Sequence, residues 1–260
     1  MSTSAAEAVA AYDARAAYCR AETTSVAPPR LLHPLLTGCT HVAEVPCGTG
    51  HFIAEYAAVG LTVTLADANP VMLGYASEQA EAVGLPPHRT TLECAYLNKL
   101  RLSPTVDAVI VPNAALNQLL CHAGTQELIE QLRAATTRRD VRVLAQVMCG
   151  YRDHTDVAGF YDQTRPHGMW FTDKRFEPAH ADGVAVRRRR QQRHGDQLHI
   201  EFDYRDSRDR QLHTAVVDLL VVDPVALIAA FAAAGFSEIR FLPGDHGLSE
   251  LLAVARRVRG

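Results

Sequence analysis

A chain of 260 residues with 26 Lys and Arg against 29 Asp and Glu carries a formal net charge of −3, and 48% of its residues are hydrophobic. Such a chain can bury the core of one large α/β domain with an elaboration, and its charge offers no positive field to hold a polyanion, so nucleic acid is disfavoured as the main partner. The six cysteines, at 19, 39, 47, 94, 121 and 149, form no C-x-x-C pair, which excludes a disulfide framework or zinc knuckle and points to a reducing, cytoplasmic setting.

Helices over 4–19 and 28–37, the second opened by Pro28-Pro29, predict a helical cover of residues 1–40 ahead of the sheet. The alanine-rich start, broken by Glu7, Asp13 and Arg15, lacks the basic opening and apolar run of a secretory signal, and no later segment is apolar for long enough to span a bilayer. A strand over 42–45 then runs into a turn carrying Gly48 and Gly50, and a helix over 51–59 follows. Without Cβ atoms the two glycines let a ligand approach bare backbone beside the positive end of that helix. The next strand, 61–66, ends at Asp67 before Asn69 and Pro70 open a helix over 70–83. An acid at that strand end stands where the crevice of a doubly wound sheet forms, and it can accept both hydroxyls of a ribose.

Strands over 90–94, 106–111 and 141–148, with a helix over 125–137, continue an alternation that predicts a parallel sheet with helices on both faces. Loops at the carboxyl ends of the fourth and fifth strands carry Asn113 and Asn117, then Tyr151 and His154. Residues 151–222 break the alternation: three strand-like runs, 183–194, 197–205 and 210–221, are joined by short polar connections that make antiparallel hairpins. Within this segment Arg187 to Arg190 alternate along a strand and read as a solvated sheet face, and Met169-Trp170-Phe171 as core packing. The twelve histidines show no H-E-x-x-H or similar ligand spacing, so no metal is expected. A helix over 225–236 and a hairpin of 237–242 with 248–256 end the chain.

The glycine pattern separates the candidate nucleoside cofactors. A dinucleotide turn, G-x-G-x-x-G, needs a third glycine where this chain has Ile53. The segment Glu44-Val45-Pro46-Cys47-Gly48-Thr49-Gly50 instead resembles motif I of the class I S-adenosylmethionine-dependent methyltransferases, (D/E)-x-G-x-G-x-G, whose cofactor has no phosphates. Asp67-Ala68-Asn69-Pro70-Val71-Met72-Leu73 is similar to the family's D-x-S-x-x-M-L, residues 106–119 to its fourth strand and the loop facing the methyl group, and 225–236 to its last helix and A-G-F exit. The resemblance implies an α/β fold, a Rossmann-like, doubly wound seven-stranded sheet from 41–150 and 223–260, with an inserted antiparallel sheet in 151–222. It implies S-adenosyl-L-methionine as cofactor, with Glu44, Pro46, Gly48 and Gly50 at the turn, Asp67 on the ribose, Ala68 and Met72 bordering adenine, Tyr96 and Leu97 after the third strand, and Asn113 near the methyl group. Two positions depart from the pattern. Pro46 replaces the first glycine and removes a backbone donor, and Tyr96 stands where the family often has an acid for the adenine amine.

The stretch YDARAAY, 12–18, resembles the Tyr-bearing helix of the amine methyltransferases, which implies Tyr12 and Tyr18 beside the acceptor and Arg20 on the methionine carboxylate. The antiparallel insert resembles that of glycine N-methyltransferase and the sugar-amine N-methyltransferases, and so implies a wall of an acceptor pocket. Methyl transfer from a sulfonium is an in-line displacement, which requires acceptor, methyl and sulfur to be held nearly collinear in a water-poor site. Tyr12, Tyr18, Asn117, Tyr151 and His154 are the candidate catalytic residues. The expected reaction is methylation of a small molecule, amine nitrogen favoured and hydroxyl or carbon as alternatives. An RNA or DNA methyltransferase, an NAD-dependent oxidoreductase and a non-catalytic cofactor sensor are the rivals, and a homodimer is left open.

Overall fold

The computed structural model describes residues 5–23, 26–150, 167–176, 183–245 and 247–255; Tyr151 and His154 lie outside the described residues. The chain begins with α1 (Ala5–Ala10) and α2 (Ala16–Thr23), separated by turns, so the single expected helix over 4–19 is broken at 11–15. After α3 (Leu32–Leu36) come β1 (His41–Glu44), α4 (Ile53–Val59), β2 (Thr62–Asp67), α5 (Pro70–Ala82) and β3 (Thr90–Cys94). Then follow β4 (Ala108–Val111), α6 (Ala115–Leu119), α7 (Thr125–Ala135) and β5 (Arg142–Val147). The inserted strands are β6 (Phe171–Arg175), β7 (Val186–His194), β8 (Gln197–Arg205) and β9 (Gln211–Leu220), and α8 (Pro224–Ala233), β10 (Phe236–Pro243) and β11 (Ser249–Ala255) complete the order.

One sheet has seven strands in the order β10-β11-β5-β4-β1-β2-β3, and β6 to β9 form a separate four-stranded antiparallel sheet. In the larger sheet β11 runs antiparallel to both β5 and β10, while β1, β2, β3, β4 and β5 pair in parallel. Both β1 and β4 are buried throughout, as strands covered on two faces must be. Successive residues serve opposite faces: Ala43, Val109 and Val143 pack with Leu128 and Leu132 of α7 and Phe231 of α8, whereas Val42, Ile110 and Leu144 pack with Leu32, Tyr56 and Leu73 from α3, α4 and α5. Strand order reverses between β4 and β1, and the carboxyl ends of these neighbours flank the crevice where open sheets of this kind bind ligands.

Local sequence explains the ends of the elements that matter there. Asn69 caps α5 by accepting from the Val71 and Met72 amides at 2.9 and 3.0 Å, with Pro70 as first residue. Asp223 does the same for α8 through the Val225 amide at 2.9 Å. That helix ends at Ala233, short of the expected 236, because Gly235 turns left-handed at φ +89° and Phe236 already begins β10. Strand β6 adds a fourth strand to the three expected in the insert, and the Met169-Trp170-Phe171 trio is not core. Met169 is exposed, and the Trp170 ring lies under the guanidinium carbons of Arg190 and Arg188 at 4.9 and 5.7 Å.

Candidate functional site

The glycine turn is held from below by a buried carboxylate. Glu44, 0% exposed, accepts from the His51 amide at 2.7 Å, the Phe52 amide at 3.2 Å and the Tyr56 hydroxyl at 2.7 Å. It therefore fills the amino end of α4, the place where a dinucleotide-binding turn presents free amides to a pyrophosphate. A second anion there would meet a buried negative charge, so the geometry disfavours a pyrophosphate and suits a cofactor without one. Gly50, at φ +87°, leaves space that a Cβ would deny: it would stand 2.2 Å from Ile53 Cδ1. Glycine at this position thus lets the turn close against the first residue of α4.

Asp67 faces the same turn from the end of β2. Its Oδ2 accepts from the Gly48 amide at 2.9 Å and its Oδ1 from the Asn69 amide at 2.8 Å. Burial pushes this carboxyl above its ordinary value, and the amides of Asn69 and Gly48 oppose the rise. Each oxygen keeps a lone pair for a further donor. Beyond β4 the chain passes through two left-handed residues, Asn113 at φ +47° and Ala114 at φ +56°, and the Asn113 amide donates to Gln146 Oε1 at 2.9 Å.

A cavity joins these parts. The turn and β2 contribute Pro46, Gly48, Thr49, Asp67, Ala68 and Met72, the segment after β3 contributes Tyr96 and Leu97, and the segment after β4 contributes Asn113, Gln118 and His122. Tyr12, Arg15, Cys19 and Glu22 roof it from the amino terminus, and Ile200, Phe202, Val217 and Leu219 of β8 and β9 wall it on the far side. The roof is latched: Asn69 Nδ2 donates to the Val9 carbonyl and to Asp13 Oδ1, both at 2.8 Å, and the Tyr12 hydroxyl donates to Gln118 Oε1 at 2.8 Å. Thr23 donates its hydroxyl to the Cys19 carbonyl, so in its 2.7 Å contact with Thr49 the Thr49 hydroxyl is the donor.

Residues 42–139 match the family model of a methyltransferase domain. Over that stretch the chain carries a methyltransferase domain. Its fold is shared with DesVI of Streptomyces venezuelae (18% identity, 94% of each chain covered, TM-score 0.63). It is shared also with CalS10, an amino pentose methyltransferase of calicheamicin biosynthesis from Micromonospora echinaspora, solved with S-adenosylmethionine bound (19%, 94% of each chain, 0.61). The sugar N-methyltransferase KedS8 from Streptoalloteichus is a third (21%, 93% of this chain and 88% of that one, 0.61). No curated protein sequence matches the chain.

Several of the expected site residues do line the cavity: Tyr12, Pro46, Gly48, Asp67, Ala68, Met72, Tyr96, Leu97 and Asn113. Five others do not. Glu44 and Gly50 shape the turn from outside the cavity, as described above. Arg20, expected on the methionine carboxylate, pairs at the surface with Glu78 at 2.9 Å and lies over the Tyr75 ring. Tyr18 is stacked between Tyr204 and His213 at centroid distances of 4.7 and 4.9 Å, a packing role. Asn117 spends its amide on backbone: Nδ2 donates to the Met148 and Leu220 carbonyls, each at 2.7 Å, and Oδ1 accepts from the Met148 amide at 2.8 Å.

The cavity also takes residues not among the expected ones: Arg15, Glu22, Gln118, His122 and the apolar faces of β8 and β9. The alternation of Ile200 with Phe202 and of Val217 with Leu219 was the available signal for the last group. Of the basic run, expected on a solvated face, Arg187 and Arg189 are each only 1% exposed. Alternation along β7 was right and the side was wrong: Arg187 turns inward to pair bidentately with Asp173 (3.0 and 2.8 Å) and with Glu22 at 2.6 Å. Among the described residues no group of three His, Cys, Asp or Glu is arranged to hold a metal ion, and no helix is long and apolar enough to cross a membrane.

Proposed function

We propose that this chain methylates a nitrogen of a small-molecule amine. The observation that carries the reading is the single cavity in which the Gly48–Asp67 turn, the Asn113 loop and the inner face of the inserted sheet meet. S-adenosylmethionine, when bound, supplies an electrophilic methyl on a sulfonium. Asp67 would hold its ribose, backbone at Gly48 its methionine side, and Met72, Tyr96 and Leu97 its adenine. The buried anions Glu44 and Asp67 favour a cationic sulfonium over a pyrophosphate. Residues 1–40 act as the cover, 41–150 with 223–260 as the cofactor core, and 151–222 as the acceptor wall.

Tyr12 orients the acceptor in this reading. Burial pushes its phenol up to about 12, with Arg15 opposing, so the hydroxyl stays protonated at neutral pH. Because its hydrogen is given to Gln118, the phenol oxygen has lone pairs left to accept an N–H from the amine. The amine then arrives neutral, positioned rather than deprotonated by the chain, and the apolar strands exclude water from its path. Amine chemistry is supported by the printed descriptions of KedS8 as a sugar N-methyltransferase and CalS10 as an amino pentose methyltransferase. Hydroxyl methylation is the second reading, favoured by His122, an imidazole in the same cavity able to take a hydroxyl proton. The nucleic-acid reading loses its sequence support with the inward turn of Arg187 and Arg189. Purified protein offered pooled small amines, phenols and amino acids should release S-adenosylhomocysteine with amines, and Tyr12→Phe should lower turnover about tenfold or more. Turnover with phenols alone would overturn the nitrogen assignment.

A further inference from the structure

Arg15 presents an unpaired donor to the cavity. It is 7% exposed, yet lines the cavity wall. Its Nε donates to the Tyr204 hydroxyl at 3.3 Å and its Nη2 to Glu22 Oε2 at 3.2 Å, and among the described residues Nη1 has no hydrogen-bond partner. The guanidinium carbon stands 4.9 Å from the Phe202 ring centroid and 5.5 Å from that of Tyr12, two rings that line the same cavity. A nearly buried cationic donor left without an acceptor costs free energy that an incoming oxygen would recover.

The surrounding charges do not supply that oxygen. The Glu22 carboxylate is shared, taking Arg15 on Oε2 and Arg187 on Oε1. Asp173 is engaged by Arg187 through both its oxygens. Lys174, whose ammonium donates to the Glu22 carbonyl, adds a third cation to the same cluster. No described carboxylate therefore belongs to Arg15 alone. Phe202 and Tyr204, which Arg15 also meets, are on β8, so Arg15 reaches the side of the cavity walled by the inserted sheet.

We propose that the acceptor carries an oxyanion, a carboxylate or phosphate group, received by Arg15 through Nη1, on an apolar body that lies against Ile200, Phe202, Val217 and Leu219. This rests on the reading above that the inserted sheet walls the acceptor compartment. Charge-assisted hydrogen bonding to a guanidinium gives the selectivity, and the apolar strands give the area.

Calorimetry on the protein saturated with S-adenosylhomocysteine tests it, with 3-phenylpropanoate and phenyl phosphate as anionic probes and 3-phenylpropanamide as the neutral counterpart. At least one anion should bind about tenfold or more tighter than the amide, and the stronger of the two identifies the group. Arg15→Met should erase the preference and Arg15→Lys retain part of it, while affinity for S-adenosylhomocysteine stays within about threefold. Anions binding no tighter than the amide, or no binding of any probe, overturns the proposal, and this comparison needs only the unsubstituted protein should Arg15→Met not fold. A Met variant that keeps the anion preference but loses S-adenosylhomocysteine also overturns it, by assigning Arg15 to the methionine carboxylate. Failure of the unsubstituted protein to bind S-adenosylhomocysteine would remove the cofactor reading itself, and this inference with it.

Discussion

Glu44 and Asp67 lie on either side of one glycine turn, and their surroundings divide their work. Glu44 faces three protein donors and no cavity, so its effect is structural. Glu44→Ala strands two helix-end amides and the Tyr56 hydroxyl in the core and should cost about 3 kcal/mol or more, read from urea midpoints with S-adenosylhomocysteine absent. Asp67→Ala removes an acceptor that faces the cavity and should weaken S-adenosylhomocysteine about tenfold to a hundredfold by calorimetry, with a smaller change in stability; unchanged affinity would place the ribose elsewhere. The acids and glycines of this turn were legible because their duties are local and steric. Arg15 and Arg20 were not: the two lie five positions apart, and which of them faces inward depends on where the amino-terminal helix breaks. At that break Asn69, just past the end of β2, bonds the Val9 carbonyl and Asp13, a contact no local pattern records.

Among the elements, those with long regular patterns were readable and the short or unusual ones were not. Strands β1 to β5 sit within two residues of their expected ends, since buried parallel strands show as apolar runs between turn signals. Helix α6, five residues at Ala115–Leu119, is too short for a helical period to appear, and β6, FTDKR, is a polar edge strand without alternation. Yet α6 carries the staple between the two sheets, because Asn117 joins Met148 just after β5 to Leu220 at the end of β9. Removing the amide strands the Met148 backbone amide and takes one donor each from the Met148 and Leu220 carbonyls, at a residue that is 0% exposed. Asn117→Ala should therefore lose about 3 kcal/mol in urea unfolding, and protease cleavage within β9 should quicken. A variant as stable as the parent would show that the β5–β9 junction is held without Asn117, by packing and by the backbone bonds of Met148 and Gly150 with Val222.

At the scale of the whole molecule, cover and insert are tied by charge as well as by apolar contact. Glu22 on α2 meets Arg15 behind it, Arg187 on β7 and the Tyr204 hydroxyl on β8. Burial pushes the Glu22 carboxyl up, but Arg187, Arg15 and the Tyr204 hydroxyl outweigh it and bring the value from 4.5 to about 2. A carboxyl held lower in the folded chain than in the unfolded one contributes stability that is present in full above the ordinary value. That contribution is lost as pH falls through the range between the two. The drop from 4.5 to about 2 corresponds to at most about 3 kcal/mol at neutral pH. Glu22→Gln should remove that part of the acid response. Its urea midpoint should lie below the parent's at neutral pH, and the gap should narrow as pH falls below about 4.5 and close near 2, the window set by the two values. Parallel midpoint curves for the two proteins across that window would mean that the four-residue cluster contributes no charge-dependent stability, and that the cover is held on the insert by contacts independent of the Glu22 charge, among them Tyr18 stacked on Tyr204.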